Sequence, residues 1–260
     1  MDGSATPGLS FGEIAERYDR CRPGVPSAAL DWLLPDGCET VIDLAAGTGA
    51  LTRSLVDRVP QVVAVEPDPR MLDILARNCP QARALPGSAE QMPLPDRSSD
   101  ALLTSMAWHW MDPRRALPEI ARILRGGGTF GVIWNHRDVN VGWVAALDNF
   151  SRTLRARASG RDAADATSRR HVPDPAPGLL FGPMNEVRLS WTARLSAEEL
   201  VGVLGTDSSA IALSAEARRL VDDGVTGYVR DVLGLSGDRT IELPMECRCL
   251  SMTRNPGAVP

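Results

Sequence analysis

The segment at residues 41–49 constrains the fold most, because an apolar run there leads directly into a short loop with two glycines. It reads Val-Ile-Asp-Leu-Ala-Ala-Gly-Thr-Gly. Its first half suits a strand buried on both faces, and Gly47 and Gly49 let the backbone turn tightly and approach a ligand closely. A second apolar run ends in Glu66, where a carboxylate can accept both hydrogens of a ribose diol. The pattern predicts a site for an adenosine-containing cofactor.

Two departures from the dinucleotide-binding fingerprint indicate which cofactor this is. Thr52 stands where the third glycine of G-x-G-x-x-G would be, which argues against a pyrophosphate at the start of the helix. Asp43 lies at the end of the strand, where a carboxylate favours an ammonium or sulfonium group and repels phosphate oxygens. S-adenosylmethionine fits both departures, and an NAD-dependent oxidoreductase is disfavoured. An ordinary strand–turn–helix without a ligand is the structural alternative.

Strands and helices alternate along the chain, which predicts βαβ crossovers and a parallel sheet covered on both faces. The predicted strands are 41–45, 62–66, 82–85, 101–105, 129–134, 187–195 and 241–252. We therefore expect an α/β fold with a Rossmann-like, seven-stranded, mostly parallel sheet, N-terminal helices and a helical lid insertion. We expect Pro118 to kink its helix or delay its start, and the run 126–128 to end that helix.

One domain is expected to span residues 1–260. Within it, residues 10–138 are the predicted cofactor-binding half, 139–180 a variable lid, and 185–255 the C-terminal strands and helices. The proline-rich stretch at 151–178 fits a mobile loop better than a core element.

Six motifs, taken in order, resemble the class I S-adenosylmethionine-dependent methyltransferases. They are Tyr-Asp-Arg-Cys-Arg-Pro-Gly at 18–24, the loop at 43–49, Val-Glu-Pro at 65–67, Gly-Ser-Ala-Glu at 87–90, His-Trp at 109–110 and Leu-Arg-Gly-Gly-Gly at 124–128. The resemblance covers roughly residues 10–140. Within the family it is strongest to the small-molecule branch that includes ubiquinone/menaquinone-biosynthesis and trans-aconitate-type enzymes.

The resemblance implies a role for each cofactor-binding position. Gly47, Thr48 and Gly49, with Ala45, would hold the methionine tail; Asp43, Tyr18 and Arg22 would frame its amino acid end; Glu66 would hold the ribose; Pro67 and Met71 would cover one face of the adenine; Ser88 and Ala89 would meet its edge; and Thr104 and Ser105 would lie near the transfer site. The family often has a glutamine where Met106 stands, which makes a cofactor contact there doubtful and suits a more apolar substrate.

The methyl acceptor is expected just beyond the fourth and fifth predicted strands. His109 is the candidate general base, since an imidazole titrates near working pH; alternatively, it only orients the loop and lines the pocket. Asn135 and His136 are candidates for substrate contact or for a loop-stabilising role. Trp108, Trp110 and Trp143 suggest an apolar pocket.

Composition narrows the functional classes. All 28 Lys+Arg residues are arginine, which excludes lysine Schiff bases and phosphate-binding lysines. A net charge of −5 argues against nucleic acid as a partner. The five cysteines lack metal-type pairing and suit buried free thiols, so we expect no metal. Without a signal or membrane-spanning segment, a reduced cytoplasmic location is expected. The oligomeric state stays open.

These observations lead to S-adenosylmethionine-dependent methyl transfer to a small, partly apolar acceptor, with O- or C-methylation favoured and S-adenosylhomocysteine as product. The alternative is a methyltransferase fold that binds the cofactor and catalyses a non-methylating rearrangement. Both functions keep the cofactor motifs, so the sequence alone does not separate them.

Overall fold

The computed structural model describes residues 21–160 and 179–257. Two predictions lie outside these ranges: the role of Tyr18, and residues 161–178 of the mobile loop predicted at 151–178. The structure of the remaining positions is given below.

A single seven-stranded sheet organises the described residues. Its strands are β1 (Thr40–Leu44), β2 (Gln61–Glu66), β3 (Arg83–Pro86), β4 (Ser99–Ser105), β5 (Leu124–Arg137), β6 (Asn185–Ser196) and β7 (Thr240–Thr253). They lie in the order β3-β2-β1-β4-β5-β7-β6. The first five strands run parallel, whereas β7 is antiparallel to both β5 and β6. The prediction of a seven-stranded, mostly parallel sheet is confirmed. The strand order reverses between β1 and β4, which is where open α/β sheets bind ligands.

Eight α-helices occur in the described ranges: α1 (Ser27–Leu33), α2 (Ala50–Val56), α3 (Pro69–Asn78), α4 (Pro113–Ile123), α5 (Gly142–Ser159), α6 (Ala197–Gly205), α7 (Ser208–Ile211) and α8 (Ala215–Asp231). Asp68 and Asp112 cap α3 and α4 by accepting hydrogen bonds from backbone N–H groups two residues later. No helix within the described ranges is long and apolar enough to cross a membrane.

Two local predictions concern the α4–β5 connection. The prediction that the run at 126–128 ends the helix is wrong, and of the two alternatives given for Pro118 the delayed start is wrong. Helix α4 begins at Pro113 and continues past Pro118, so its start is not delayed. The run at 126–128 does not end the helix but belongs to β5. Its glycines permit close approach of other backbone segments, since a Cβ on Gly128 would lie 3.0 Å from the Asp100 carbonyl oxygen.

Three hydrophobic clusters hold these layers together. The first packs Trp108, α4 and Phe130 against one face of the sheet. The second packs α1 and α2 against the other face, and it contains the buried thiols of Cys247 and Cys249, 3.7 Å apart. The third joins α5, α6 and α8 to β6 and β7. This third cluster is the core of a helical cover, and two of its helices, α5 and α6, begin where strands of the sheet end.

Candidate functional site

The loop after β1 has a tightly constrained backbone. Gly47 and Gly49 have positive φ angles of 59° and 93°. A Cβ on Gly49 would lie only 3.0 Å from the Cys79 sulfur, so α3 packs directly on this glycine. Ala45 also has a positive φ of 55°, which is costly for a residue with a side chain. Strain of this kind concentrates at ligand-binding loops.

Glu66 joins this loop to the end of β2. Its Oε2 accepts a hydrogen bond from the Gly47 N–H at 2.8 Å, and its Oε1 accepts one from the Asp68 N–H at 2.9 Å. The side chain is only 5% exposed. Burial raises the pKa of Glu66, although the two backbone hydrogen bonds oppose that shift. Each carboxylate oxygen keeps acceptor capacity for a diol, so the geometry is compatible with the predicted ribose contact.

Asp43 lies at the end of β1, close enough to Glu66 for their charges to interact. Its Oδ2 accepts a 2.6 Å hydrogen bond from the Thr52 hydroxyl, whereas its buried Oδ1 has no hydrogen-bond partner among the described residues. Burial raises the pKa of Asp43 to about 7, with a further contribution from the charge of Glu66 and an opposing one from the Thr52 hydrogen bond. The side chain that replaces the third fingerprint glycine therefore supports this carboxylate.

Two buried threonine hydroxyls near the same strand ends also lack hydrogen-bond partners in the described part of the chain. They belong to Thr48, in the β1 loop, and Thr104, near the end of β4. Buried polar atoms without partners are costly and point to a ligand or ordered water. Together with the acids at 43 and 66, these oxygens suit a polar ligand that carries a cation, and the donor set fits S-adenosylmethionine.

The positions predicted for the adenine lie around the ends of β2 and β3. Met71 is buried, and its sulfur would be 3.8 Å from a Cβ at Gly47. Pro67 is exposed, whereas Ala89 is buried. Ser88 pairs with Gln91 through a short bridge that follows β3. Pro67 follows Glu66 in the chain and Met71 lies beside the β1 loop, whereas Ser88 and Ala89 follow Pro86, which pairs with Glu66 across β2 and β3.

Beyond β4, the tryptophan–histidine–tryptophan segment forms a single 3₁₀ turn (Trp108–Trp110). His109 is partly buried and stacks on Trp110, with ring centroids 4.6 Å apart. Burial lowers the pKa of His109, and the nearby guanidinium of Arg22 lowers it further. The neutral imidazole, which can accept a proton, is therefore the favoured form.

The three predicted pocket tryptophans do not form one wall. Trp108 is fully buried and stacks on Phe130, 5.2 Å between centroids, in the core below the sheet. Trp143 packs in the separate core of the helical cover, and Trp110 is 41% exposed. The packing of Trp108 therefore favours a core role over the predicted contact with the acceptor. A large apolar side chain close to a strand end commonly packs in the core, because burying its hydrophobic surface is favourable.

Asn135 and His136 lie within β5, which extends to Arg137 and does not end at 134 as predicted. The Asn135 side-chain NH₂ donates to the Gly24 carbonyl at 2.9 Å, and its oxygen accepts from the Trp191 Nε1–H at 2.9 Å. These contacts favour the loop-stabilising alternative for Asn135. His136 is partly buried opposite Glu246 of β7.

Sequence reasoning missed a cluster of four charged side chains, named here the Arg–Asp cluster. Arg137 donates to Asp148 at 2.7 Å and to Asp207 at 2.9 Å, and Arg155 donates to Asp207 at 3.1 Å. Arg155 is only 6% exposed, whereas arginine side chains are mostly exposed in folded proteins. Burial opposes ionisation of Asp207, but the charges of Arg137 and Arg155 outweigh it and hold its pKa below the usual range. No local pattern could have revealed this cluster, because its members are distant in sequence.

Arg22 connects the N-terminal segment to this region. Its Nη2 donates to the Thr206 carbonyl at 3.1 Å, in the turn that also carries Asp207. Its charge also influences both His109 and Asp207. Arg22 therefore lies between the 3₁₀ turn after β4 and the helical cover.

Comparisons with known proteins agree with this geometry. Residues 42–132 match a family model described as a methyltransferase domain. Uncharacterised methyltransferases from Mycobacterium bovis and Mycobacterium tuberculosis are 40% identical over 94% of this chain and 96% of their own length. One from Schizosaccharomyces pombe is 28% identical over 92% of this chain and 93% of its own length.

A solved structure of a candidate type II methyltransferase from Anaeromyxobacter dehalogenans has a similar fold. Its TM-score is 0.62 at 24% identity, and the match covers 90% of this chain and 97% of that one. At this identity the likeness concerns the fold alone, whereas the mycobacterial relatives match nearly end to end. With the sheet order, the glycine loop and the acids near the carboxyl ends of β1 and β2, these findings show that the chain belongs to the class I S-adenosylmethionine-dependent methyltransferases.

Proposed function

We propose that this enzyme transfers the methyl group of S-adenosylmethionine to a small, partly apolar acceptor, with oxygen or carbon as the methylated atom. The observation that carries the proposal is the pair of buried acids, Asp43 and Glu66, at the carboxyl ends of β1 and β2. Two carboxylates in one buried site repel phosphate and attract a cation. A sulfonium cofactor with an adenosine group satisfies both requirements.

The proposed cofactor contacts follow the strand ends. Glu66 holds the ribose diol, Gly47 and Thr48 meet the methionine tail, and Asp43 faces its cationic end. Arg22 pairs with the carboxylate of that tail. When bound, the cofactor supplies an electrophilic methyl group on a cationic sulfur.

The chain's own contribution to the reaction is alignment and removal of water. Holding the two reactants in line is worth up to about 7–11 kcal/mol. The helical cover shields the carboxyl edge of the sheet, which strengthens electrostatic interactions inside. His109, kept neutral by burial and by Arg22, accepts the proton of a hydroxyl or enol acceptor.

The test is mass spectrometry of reactions with S-adenosylmethionine and panels of phenolic, carboxylate and enolisable acceptors. A product heavier by one methyl group, formed together with S-adenosylhomocysteine, is expected. An S-adenosylmethionine-dependent product of unchanged mass would favour the rearrangement instead. Methylation of an amine or a thiol in preference to all three panels would overturn the assignment to oxygen or carbon.

A further inference from the structure

Residues 22–24 form a short strap that is tied at two points. At one end, Arg22 donates to the Thr206 carbonyl at 3.1 Å. At the other end, the Gly24 carbonyl accepts from the Asn135 side chain at 2.9 Å. One tie leads to the helical cover and the other to the end of β5. Both ties therefore decide where the Arg22 guanidinium lies.

The chemistry and the burial of Asn135 suit it to hold the strap in place. The residue is 9% exposed, and both ends of its amide are used, one as donor to Gly24 and one as acceptor from Trp191. An uncharged amide is the small side chain that offers both a donor and an acceptor in this way. Its two partners are 111 and 56 residues away in the sequence, so it joins three separate segments.

The backbone of Asn135 also contacts the loop after β4. Its N–H donates to the Met106 sulfur at 3.0 Å, and the Met106 N–H donates to the Ile133 carbonyl at 2.8 Å. Met106 has a positive φ of 57°, an unfavourable conformation for a residue with a side chain. Such a conformation persists only where the surroundings hold it, and it clusters at functional sites. Asn135 is thus part of the support for the backbone that leads to His109.

We propose that Asn135 is a positioning residue that acts through Arg22. By holding the Gly24 carbonyl, it fixes the strap so that the guanidinium lies beside the 3₁₀ turn and meets the carboxylate of the cofactor's methionine part. This inference rests on the proposed function, and in particular on the assignment of Arg22 to that carboxylate. Without the tie, Arg22 keeps only its own hydrogen bond to Thr206, so more of its ordering falls at the moment of binding, which lowers affinity for ligands that carry the carboxylate.

Two ligands separate this role from a general structural one. S-adenosylhomocysteine has the amino acid end, whereas 5′-methylthioadenosine has the same adenosine and thioether but no carboxylate. Asn135→Ser replaces the amide by a shorter hydroxyl, which adds no charge and cannot reach both Gly24 and Trp191. We expect calorimetry to show weaker S-adenosylhomocysteine binding by about three- to tenfold, the range of one hydrogen bond. Binding of methylthioadenosine should change less than about twofold.

Trp191→Phe is the matched control, because it removes the other hydrogen bond of the same amide and leaves the strap tied. It should leave both affinities within about twofold of the wild type. If Asn135→Ser unfolds the protein, Asn135→Ala serves instead, since it also removes the donor to Gly24 without adding a charge. Equal weakening of both ligands, or no change in either, would overturn the proposal.

A double-mutant cycle tests the route through Arg22. Arg22→Gln alone should weaken S-adenosylhomocysteine binding, and adding Asn135→Ser to it should cost less than about a further twofold. Full additivity would show that Asn135 does not act through Arg22. A wild-type protein that binds neither ligand would contradict the proposed function itself, so the two failures are distinguishable.

Discussion

The buried hydrogen bond between Thr52 and Asp43 should set the pH at which the cofactor binds. Asp43 has a pKa of about 7, so near neutral pH it is partly protonated in the free enzyme. A cationic ligand favours the carboxylate and lowers that pKa. Affinity should therefore rise as the pH increases towards 7 and level off above it, and binding near neutral pH should release protons.

Thr52→Val removes only the hydroxyl that donates to Asp43 at 2.6 Å. A hydrogen bond to a charged group is worth about 1.5–3 kcal/mol, and one pKa unit corresponds to about 1.36 kcal/mol. The variant should therefore raise the Asp43 pKa by about 1–2 units. The rise of affinity with pH should move to higher pH by the same amount, since the carboxylate is then harder to form.

Calorimetric titration with S-adenosylhomocysteine between pH 5.5 and 9 measures this shift, and buffers of different ionisation enthalpy report the protons released. Asp43→Asn should abolish the pH dependence. Thr226→Val is the control, because that hydroxyl donates to the Asp222 carbonyl on an exposed face of α8. An unshifted profile for Thr52→Val would refute the reasoning.

Three further predictions follow from other contacts. His109→Ala should lower turnover by about 100-fold or more with unchanged cofactor affinity. The wild-type rate should rise with pH through a pKa below that of free imidazole. A loss of turnover under about fivefold would mean that His109 only lines the pocket. Ala45→Gly should raise the free energy of unfolding in urea by about 0.5–1 kcal/mol through relief of the positive φ, and destabilisation would contradict the strain. Asp207→Asn should lower the free energy of unfolding by about 3 kcal/mol, because it weakens the buried pairs with Arg137 and Arg155. The control Asp231→Asn, in an exposed pair with Arg230, should cause no measurable change.

The sheet and the cofactor loop could be predicted because their determinants are local. The apolar run before Gly47 and the acid that ends the next strand can each be recognised from a few neighbouring residues. Parallel strands then bring their carboxyl ends together at one edge of the sheet. The Gly-Gly-Gly run at 126–128 was harder to assign from the sequence, because such a run can end a helix or allow close backbone approach within a strand. The structure decided in favour of the strand.

The acceptor side could not be predicted equally well, because it depends on contacts between distant residues. An arginine on a helix is expected to be exposed, yet Arg155 forms a buried ion pair with Asp207, which lies 52 residues away in the sequence. The sequence leaves two roles open for Asn135, substrate contact and loop stabilisation, and its bonds to Gly24 and Trp191 favour the second. Trp108 was assigned to the pocket from its position after a strand end, and only the packing against Phe130 shows that it belongs to the core.

The central claim is that Asp43 and Glu66, near the carboxyl ends of β1 and β2, form a site for S-adenosylmethionine. A crystal structure of the complex with S-adenosylhomocysteine tests it most directly. The account predicts the ribose diol on the Glu66 carboxylate, the methionine tail over the Gly47 loop and its ammonium group near Asp43. A ribose placed away from Glu66, or an amino acid end that lies far from Asp43 and Arg22, would contradict it.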